Sequence, residues 1–361
     1  MRKMTPRGTT TRTAAPRRGA PGRGALWAAA SVAGVLLAGQ GTPATADAGA
    51  GLRSDVWEVA DNVTSQGEFG YEYTEPTVSG DVLFAAEEKP LRCWDGTGFR
   101  TIATPPIPET RGRSIASVGG VSCTDVTVFD RQETPYRWHW DGTSWSGAAA
   151  GTRYSVDTLR AFADDDIWGF VSITGEAVHF DGTAWETVAM PPLETEMVVG
   201  TSGNDFWALG DDPDSFDTLA YHWNGSRWTA AAIPAGWDGF VHQGAAVSPD
   251  ELYVFGTSTS DGYLRWDGTA WRHEDTGVTG EYVHGVAYAD GTLWVGVYNE
   301  FLRLRDGVWQ RAALPAVDNP YGMSVYDLAT DPRTDTVLAG GFIGFAEGAR
   351  TPVVIANHPA G

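Results

Sequence analysis

The segment His179-Phe180-Asp181-Gly182-Thr183-Ala184-Trp185 decides the fold, because close relatives of it recur along the chain. It has the pattern of a β-strand that ends, a tight turn, and a second strand that begins. Asp-Gly and Asn-Gly tolerate the positive φ angles that such hairpin turns require. The related segments are 93–99, 139–145, 222–228, 265–271 and the shortened copy 304–309. The repeat therefore predicts a series of β-hairpins.

A second repeated element precedes these hairpins. It consists of a polar residue, usually acidic, followed by a short apolar strand. Its seven copies begin at Asp81, Asp125, Asp166, Asp205, Glu251, Thr292 and Asp335, which are 39 to 46 positions apart. A unit of this length matches a four-stranded propeller blade. The sequence therefore predicts an all-β fold, a seven-bladed β-propeller of four-stranded blades.

The two ends of the repeat region predict how the ring closes. The seventh repeat supplies three strands, whereas residues 54–60 resemble the fourth strand of the other repeats. We expect strand 54–60 to complete the last blade, because closure removes exposed sheet edges. The expected blades span about 71–103, 113–149, 155–189, 195–231, 241–275, 282–312 and 322–357. The fourth-strand aromatics are interpreted as wedges between blades: Trp57, Phe99, Trp145, Trp185, Trp228, Trp271 and Trp309.

Residues 1–46 have the pattern of a secretory signal peptide. Basic residues come first, an apolar run follows over 25–39, and Ala44-Thr45-Ala46 provides a small-x-small cleavage site. The apolar run is too short to span a bilayer. We therefore expect a secreted, extracellular protein whose single propeller domain covers 47–361. A retained membrane anchor is the alternative.

Charge excludes two classes of partner. Residues 47–361 carry 18 basic and 46 acidic side chains, a formal charge of −28. Such a field repels nucleic acid and anionic lipid. The expected partner is therefore a glycan or cell-surface polysaccharide, or a secreted protein. We also expect the protein to be a monomer without a membrane span.

Cys93 and Cys123 are the only cysteines of the chain. A pair of cysteines in an oxidising compartment is usually bridged, so the expected export predicts a disulfide between them. Two buried free thiols are the alternative.

Motifs for catalysis and metal binding are absent from the sequence. His139, His179 and His222 take equivalent positions in successive blades, which keeps them too far apart to share a metal. The acidic segment 211–217 could supply calcium ligands, but Phe216 stands where an EF-type loop needs Asp or Asn. We interpret it as a solvated loop, with calcium as the alternative, and expect no cofactor and no metal.

Two family resemblances follow from the repeats. Asp205-Phe206-Trp207-Ala208-Leu209-Gly210, with 221–228, resembles the secreted propeller repeats of high-GC Gram-positive bacteria, and the resemblance covers about residues 55–357. Segments 290–295 and 302–309 are similar to repeats of tectonin-type propeller lectins, which implies sugar binding. Trp140-Asp141 and Trp266-Asp267 match the dipeptide of WD40 repeats, but the Gly-His partner of that motif is missing.

The connections that converge on one mouth of the propeller channel form the candidate site. Their aromatic rings suit stacking on a sugar or a peptide, and Arg113 and Arg153 suit a carboxylate. The predicted ligand-binding residues are Tyr71, Arg113, Arg153, Tyr154, Trp237, Phe240, Tyr282, His284 and Tyr321.

These patterns predict a secreted, non-catalytic binding module for carbohydrate or cell-envelope glycan. A protein-interaction scaffold in a secreted assembly is the first alternative. A glycan lyase or hydrolase is the second, with Glu194 and Glu196 as candidate carboxylates, because a hydrolase needs two of them across one cleft.

Overall fold

The computed structural model describes residues 57–62, 73–76, 80–85, 90–108, 114–132, 134–237, 239–318, 322–344 and 350–358. The chain divides into two units, 1–49 and 50–361. The signal-peptide segment lies outside the described residues, as do Tyr71, Arg113 and Tyr321 of the predicted site. No helix in the described part is long and apolar enough to cross a membrane.

The described strands form seven antiparallel sheets of four strands each. The first three blades are β2 Tyr73–Pro76, β3 Val82–Ala85, β4 Leu91–Trp94 and β5 Phe99–Ile102; β6 Ile115–Ser122, β7 Asp125–Asp130, β8 Tyr136–Trp140 and β9 Trp145–Ala149; β10 Thr158–Ala163, β11 Asp166–Val171, β12 Glu176–Phe180 and β13 Trp185–Val188. The fourth and fifth are β14 Glu194–Ser202, β15 Asp205–Asp211, β16 Thr218–Trp223 and β17 Trp228–Ala231; β18 Val241–Ser248, β19 Glu251–Gly256, β20 Tyr263–Trp266 and β21 Trp271–Glu274.

The sixth blade comprises β22 Gly285–Ala289, β23 Thr292–Val297, β24 Glu300–Arg305 and β25 Val308–Ala313. The seventh comprises β26 Met323–Asp331, β27 Thr336–Gly344, β28 Arg350–Asn357 and, as its outermost strand, β1 Glu58–Asn62. Helical structure in the described residues is limited to the single turns Ser172–Thr174 and Thr259–Asp261. The predicted all-β, seven-bladed architecture is confirmed.

The Asp-Gly-Thr hairpins are held by the aspartate itself. Asp181 Oδ1 accepts hydrogen bonds from the Thr183 hydroxyl at 2.7 Å and from the backbone N–H groups of Thr183 and Ala184 at 2.9 Å. Gly182 has a φ of 85°, which a residue without Cβ adopts freely. The Thr183 hydroxyl and these N–H groups lower the pKa of Asp181 to about 2. The same turn recurs at Asp95, Asp141, Asn224 and Asp267.

Strand β1 takes the closing position that was predicted for 54–60. It pairs antiparallel with β28, with Glu58 opposite Ala356 and Asn62 opposite Val353. Trp57, the residue just before this strand, is only 4% exposed. The two ends of the propeller sequence therefore share one sheet, which leaves that blade with no missing strand.

The hydrophobic core lies between neighbouring blades. Trp168 of the third blade meets Trp223 of the fourth edge to face, with ring centres 5.5 Å apart. Trp185, on a fourth strand, contacts Phe129 of the preceding blade at 5.5 Å. The Trp145 indole donates a hydrogen bond to the carbonyl of Ala103 in the preceding blade. These fourth-strand aromatics are wedges between blades, which accounts for their recurrence.

A disulfide joins the first blade to the second, and a polar cluster around Asp81 joins the seventh blade to both. Cys93 on β4 and Cys123 in the β6–β7 turn form a disulfide. Asp81, which is 6% exposed, accepts a hydrogen bond from the Cys123 N–H at 2.8 Å and also binds Arg333 of the seventh blade at 2.8 Å. A crosslink over a sequence separation of 30 residues stabilises a fold by about 3–4 kcal/mol, mainly through the unfolded chain.

Candidate functional site

The recurring histidines each have a carboxylate partner within their own blade. His139 pairs with Asp125 at 3.0 Å, His179 with Asp166 at 2.9 Å, and His222 with Asp205 at 2.6 Å. The hydrogen bond from Asp125 raises the pKa of His139 above its ordinary value. Each imidazole therefore has a local structural role. Asp81, Cys93 and Cys123 also lie close together, but both sulfurs are consumed by the disulfide.

The innermost strands of blades two to seven surround a central cavity of about 300 Å³. Most of its wall is small or apolar, as the crowding near the axis requires. The charged and imidazole side chains in the wall are Asp157, Arg160, Glu196, His242 and Asp327. The mouth of this channel lies where the connections between blades converge, and it has two different sides.

The acidic side of the mouth is formed by Glu194, Glu196, Asp211 and Asp157. Glu194 and Asp211 stand opposite each other in the β14–β15 ladder. Asp211 is 8% exposed, and its buried Oδ1 has no hydrogen-bond partner in the described part of the chain. Glu196 lies in a bulge of β14 and reaches solvent in the mouth. Four carboxyl groups are thereby collected on two neighbouring blades.

The electrostatics of this side disfavour the charged carboxylates. Burial raises the pKa of Glu196, and the nearby Asp211, Asp157 and Glu194 raise it further. Burial followed by repulsion from Glu194 raises the pKa of Asp211. Burial also raises the pKa of Asp157. Carboxyl groups perturbed in this way and gathered at a cavity mark candidate functional sites.

The aromatic side of the mouth is formed by Tyr282, His284, His242, Tyr298 and Tyr326. Tyr282 lies 4.8 Å from His284 and 5.5 Å from His242, measured between ring centres. His284 also contacts Tyr298 at 5.6 Å and Tyr326 at 5.4 Å. Burial and the neighbouring His242 lower the pKa of His284 to about 4, so its ring is neutral at neutral pH. The exposed rings are Tyr282 and Tyr298.

The other predicted residues that the structure describes are Trp237, Phe240, Arg153 and Tyr154. Trp237 donates a hydrogen bond to the Thr218 hydroxyl at 3.2 Å and packs edge to face on His273, so its ring is held between the fourth and fifth blades. Phe240 is 56% exposed. The Arg153 guanidinium lies over the Tyr154 ring at 5.1 Å. Tyr154 lines a separate depression of about 440 Å³ that shares only Asp157 with the channel.

Sequence reasoning placed Tyr282 and His284 at this mouth and did not single out Asp157, His242, Asp211, Tyr298 and Tyr326, which the structure places there. One signal was present for His242. Val241-His242 and Val283-His284 open two successive blades in the same way. A Val-His pair at or just before the start of an innermost strand was therefore a marker of the aromatic side.

Asp211 ends β15 and lies at the mouth, whereas the rest of the acidic segment, 212–217, forms hydrogen bonds within itself. Asp212 Oδ1 accepts backbone hydrogen bonds from Asp214 and Ser215, and the Ser215 hydroxyl donates to Asp217. Those backbone hydrogen bonds lower the pKa of Asp212. Phe216 has a φ of 61° and is 66% exposed. This self-contained turn matches a solvated loop.

Comparison with known proteins gives the fold and no family. No family model and no curated protein matches the chain. Virginiamycin B lyase from Staphylococcus aureus is similar in structure, with a TM-score of 0.61 at 12% identity over 83% of this chain and 99% of the other. The WD40 propeller domain of Doa1 gives 0.58 at 12% identity over 82% and 96%. YCF48 bound to D1 peptide gives 0.57 at 14% identity over 84% and 97%. Similarity at these identities establishes the propeller, with WD40-like neighbours.

Proposed function

We propose that the protein is a non-catalytic binding propeller that takes a positively charged segment of a partner protein at the mouth of its central channel. One observation carries the proposal, namely the group formed by Glu194, Glu196 and Asp211. Burial and mutual repulsion disfavour the charge on Glu196 and Asp211, whose pKa values are raised. A lysine or arginine of a ligand would stabilise the charged carboxylates by pairing with them, which offsets the cost of burial and the mutual repulsion.

The aromatic side of the mouth suits the same ligand. Tyr282 and Tyr298 present exposed rings on which the aliphatic stem of a long cationic side chain can pack. The neutral ring of His284, whose pKa is lowered to about 4, does not repel a cation at neutral pH. A segment that alternates basic and aromatic or aliphatic residues therefore matches both sides.

Two further features support the extracellular location that we propose. The signal-peptide pattern of 1–46 and the Cys93–Cys123 disulfide fit export to an oxidising compartment. The partner would then be an extracellular protein. A solved propeller with a bound peptide is a precedent for a protein ligand on this fold.

Glycan binding is the second candidate function. The exposed rings of Tyr282 and Tyr298 favour it, because flat aromatic faces stack on sugar rings. The acidic side of the mouth favours it less, since neutral sugars do not offset carboxylate repulsion. The hydrolase alternative is weaker still. Glu194 and Glu196 lie two residues apart on β14 and therefore line one wall, whereas hydrolysis needs carboxylates on both sides of a bond.

Glu196→Gln should weaken binding of a basic peptide about tenfold, because it removes a carboxylate from the mouth without changing side-chain size. The probe is a fluorescent Lys-Tyr-Lys-Tyr-Lys peptide measured by anisotropy. Glu186→Gln, at an exposed position on the outer strand β13, is the matched control and should bind as the unchanged protein does.

Two additional ligands sharpen this experiment. A peptide with serine in place of lysine should not bind, and a neutral chito-oligosaccharide should bind more weakly than the basic peptide. Equal weakening by Glu186→Gln would reduce the interaction to overall charge and contradict the proposal. Binding of the oligosaccharide alone would favour the glycan function.

Affinity for the basic peptide should fall as the pH is lowered from 7 to 4. The pKa values of Glu196, Asp211 and Asp157 are raised, so these groups lose their charge at a higher pH than free carboxylates, which titrate near 4. His242 and His284 have lowered pKa values and add positive charge only at the acidic end. The measurement is the same anisotropy titration at several pH values. An affinity that stays constant down to pH 4 contradicts this assignment.

A further inference from the structure

Two interfaces between neighbouring blades hold a pair of facing tryptophans, and the interface between the fifth and sixth blades holds none at these positions. Trp168 meets Trp223 between the third and fourth blades, and Trp207 meets Trp266 at 4.6 Å between the fourth and fifth. The equivalent positions between the fifth and sixth blades carry Tyr253 and Leu304. Both Trp266 and Leu304 stand opposite the second residue of the neighbouring strand, which establishes the equivalence.

The smaller side chains coincide with a cleft between these two blades. Its volume is about 490 Å³, within the usual range for sites that hold small molecules. Its wall includes Tyr253, Tyr263, Leu304 and Trp309. Tyr263 lies 5.6 Å from Trp309 and 6.0 Å from Tyr253, measured between ring centres. The space therefore has flat aromatic walls.

The polar groups of the cleft also depart from the repeat. Arg265 and Glu251 replace the histidine–aspartate pair of blades two to four and are joined at 2.8 Å. The Tyr253 hydroxyl donates to Glu251 at 2.8 Å, and the Tyr263 hydroxyl donates to Glu274 at 2.6 Å. Burial, followed by the carboxylate of Glu251, raises the pKa of Tyr253 to about 12, so this hydroxyl stays neutral.

Charge indicates the kind of ligand. The carboxylates in the cleft wall are Glu251, Glu274, Asp275 and Asp306. Arg265 is the one guanidinium in that described wall, and it already pairs with Glu251. The lining is therefore net negative and complements a cation. The cleft runs from Gly291 and Gly307 at hairpin turns of the sixth blade to Glu274 and Asp275 at the other end of the fifth blade. It shares only Tyr288 with the wall of the central cavity, and none of the residues assigned above to the channel mouth lines it.

We propose that this cleft binds a small aromatic amine. Its ring occupies the space beside Tyr253, Leu304 and Trp309, where the interfaces of the fourth blade with the third and the fifth hold indoles. Its ammonium group pairs with the carboxylates of the wall, which outnumber the single guanidinium of Arg265. This site is separate from the channel mouth, so it does not depend on the function proposed for that mouth.

Tryptamine is the probe, compared with indole and indole-3-acetate by calorimetry and ligand-observed NMR. Tryptamine should bind saturably, indole more weakly because it lacks the ammonium, and indole-3-acetate least because its carboxylate is repelled. Leu304→Trp restores the repeat residue and should weaken tryptamine at least about tenfold by filling the cleft. Val308→Trp adds the same side chain at a 54% exposed position outside the cleft wall and should leave binding unchanged.

Circular dichroism and thermal melts verify that both variants fold. If Leu304→Trp fails to fold, Asp306→Asn decides the question. Asn tolerates the left-handed conformation at this position, where φ is 51°. This variant should weaken tryptamine about threefold and leave indole unchanged. Absence of saturable tryptamine binding, or equal binding by Leu304→Trp, would overturn the proposal.

Discussion

Replacing Trp57 with alanine should lower the free energy of unfolding by about 3–5 kcal/mol, the range for a buried tryptophan removed from a core. The Trp57 side chain is 4% exposed. It stacks on Phe301 with ring centres 4.1 Å apart and meets the edge of Trp294 at 5.3 Å. Both partners belong to the sixth blade, so this single ring joins the closing strand to the neighbouring sheet.

The expected loss at Trp57 exceeds that of an ordinary surface position because closure depends on β1. Without its anchor the strand can separate from β28, which would expose a sheet edge. Val59→Ala, on the same strand at a 43% exposed residue, should change stability by less than about 1 kcal/mol. Urea unfolding followed by circular dichroism measures both variants. A loss at Trp57 no greater than that at Val59 would show that closure contributes little.

The fold was predictable because its determinants are local and repeated. Asp181 and Gly182 set a turn through contacts within four residues, and the same chemistry recurs in other blades. Closure of the ring pairs strands about 300 positions apart in the sequence. It was still predictable, because Trp57 occupies the same repeat position as the other fourth-strand tryptophans. Repetition therefore converts a long-range contact into a local pattern.

The site was only partly predictable because its contacts do not repeat. Trp237 was predicted to bind ligand because it is aromatic and lies in a connection between blades. In the structure its indole instead donates a hydrogen bond to the Thr218 hydroxyl, and no periodic pattern in the sequence indicates that contact. Asp211 was assigned to a solvated loop, but it is the last residue of β15 and nearly buried. A β-bulge between Thr195 and Met197 brings Glu196 to the mouth, and bulges leave no clear trace in hydrophobic periodicity.

Departures from the repeat are the most informative positions in such a sequence. Where blades two to four carry histidine and aspartate, the fifth carries Arg265 and Glu251, and where five blades place an aromatic residue, the sixth places Leu304. The first departure keeps an ion pair and a ring contact, since Arg265 lies over Tyr253, whereas the second replaces an aromatic ring by a smaller side chain. Natural proteins tend to break local rules at functional positions, which is why the cleft merits a direct test.

A buried ion cluster at the junction of the first and seventh blades underlies the second large effect. Arg333 binds Asp331 at 3.0 Å and Asp81 at 2.8 Å, and it donates a hydrogen bond to the carbonyl of Gly80 at 2.9 Å. Asp331 is fully buried and also accepts a hydrogen bond from the Trp94 indole at 2.9 Å. Burial alone would raise the pKa of Asp331, but the hydrogen bonds from Arg333 and Trp94 hold it below its ordinary value.

Arg333→Ala should therefore lower the free energy of unfolding by about 2–4 kcal/mol at pH 7, somewhat below the value for a fully buried pair because the Arg333 side chain is 35% exposed. The depressed pKa of Asp331 gives stability that is present above about pH 4 and is lost as the pH falls through the folded-state value. In the variant the unpaired, buried carboxylate of Asp331 favours protonation, so the difference in unfolding free energy from the unchanged protein should narrow at pH 4.

Arg100→Ala, which breaks an exposed pair with Asp95, is the control and should lower the free energy of unfolding by less than about 1 kcal/mol. Urea unfolding at both pH values measures these quantities, and a difference that is equal at pH 7 and pH 4 would exclude Asp331 as its source.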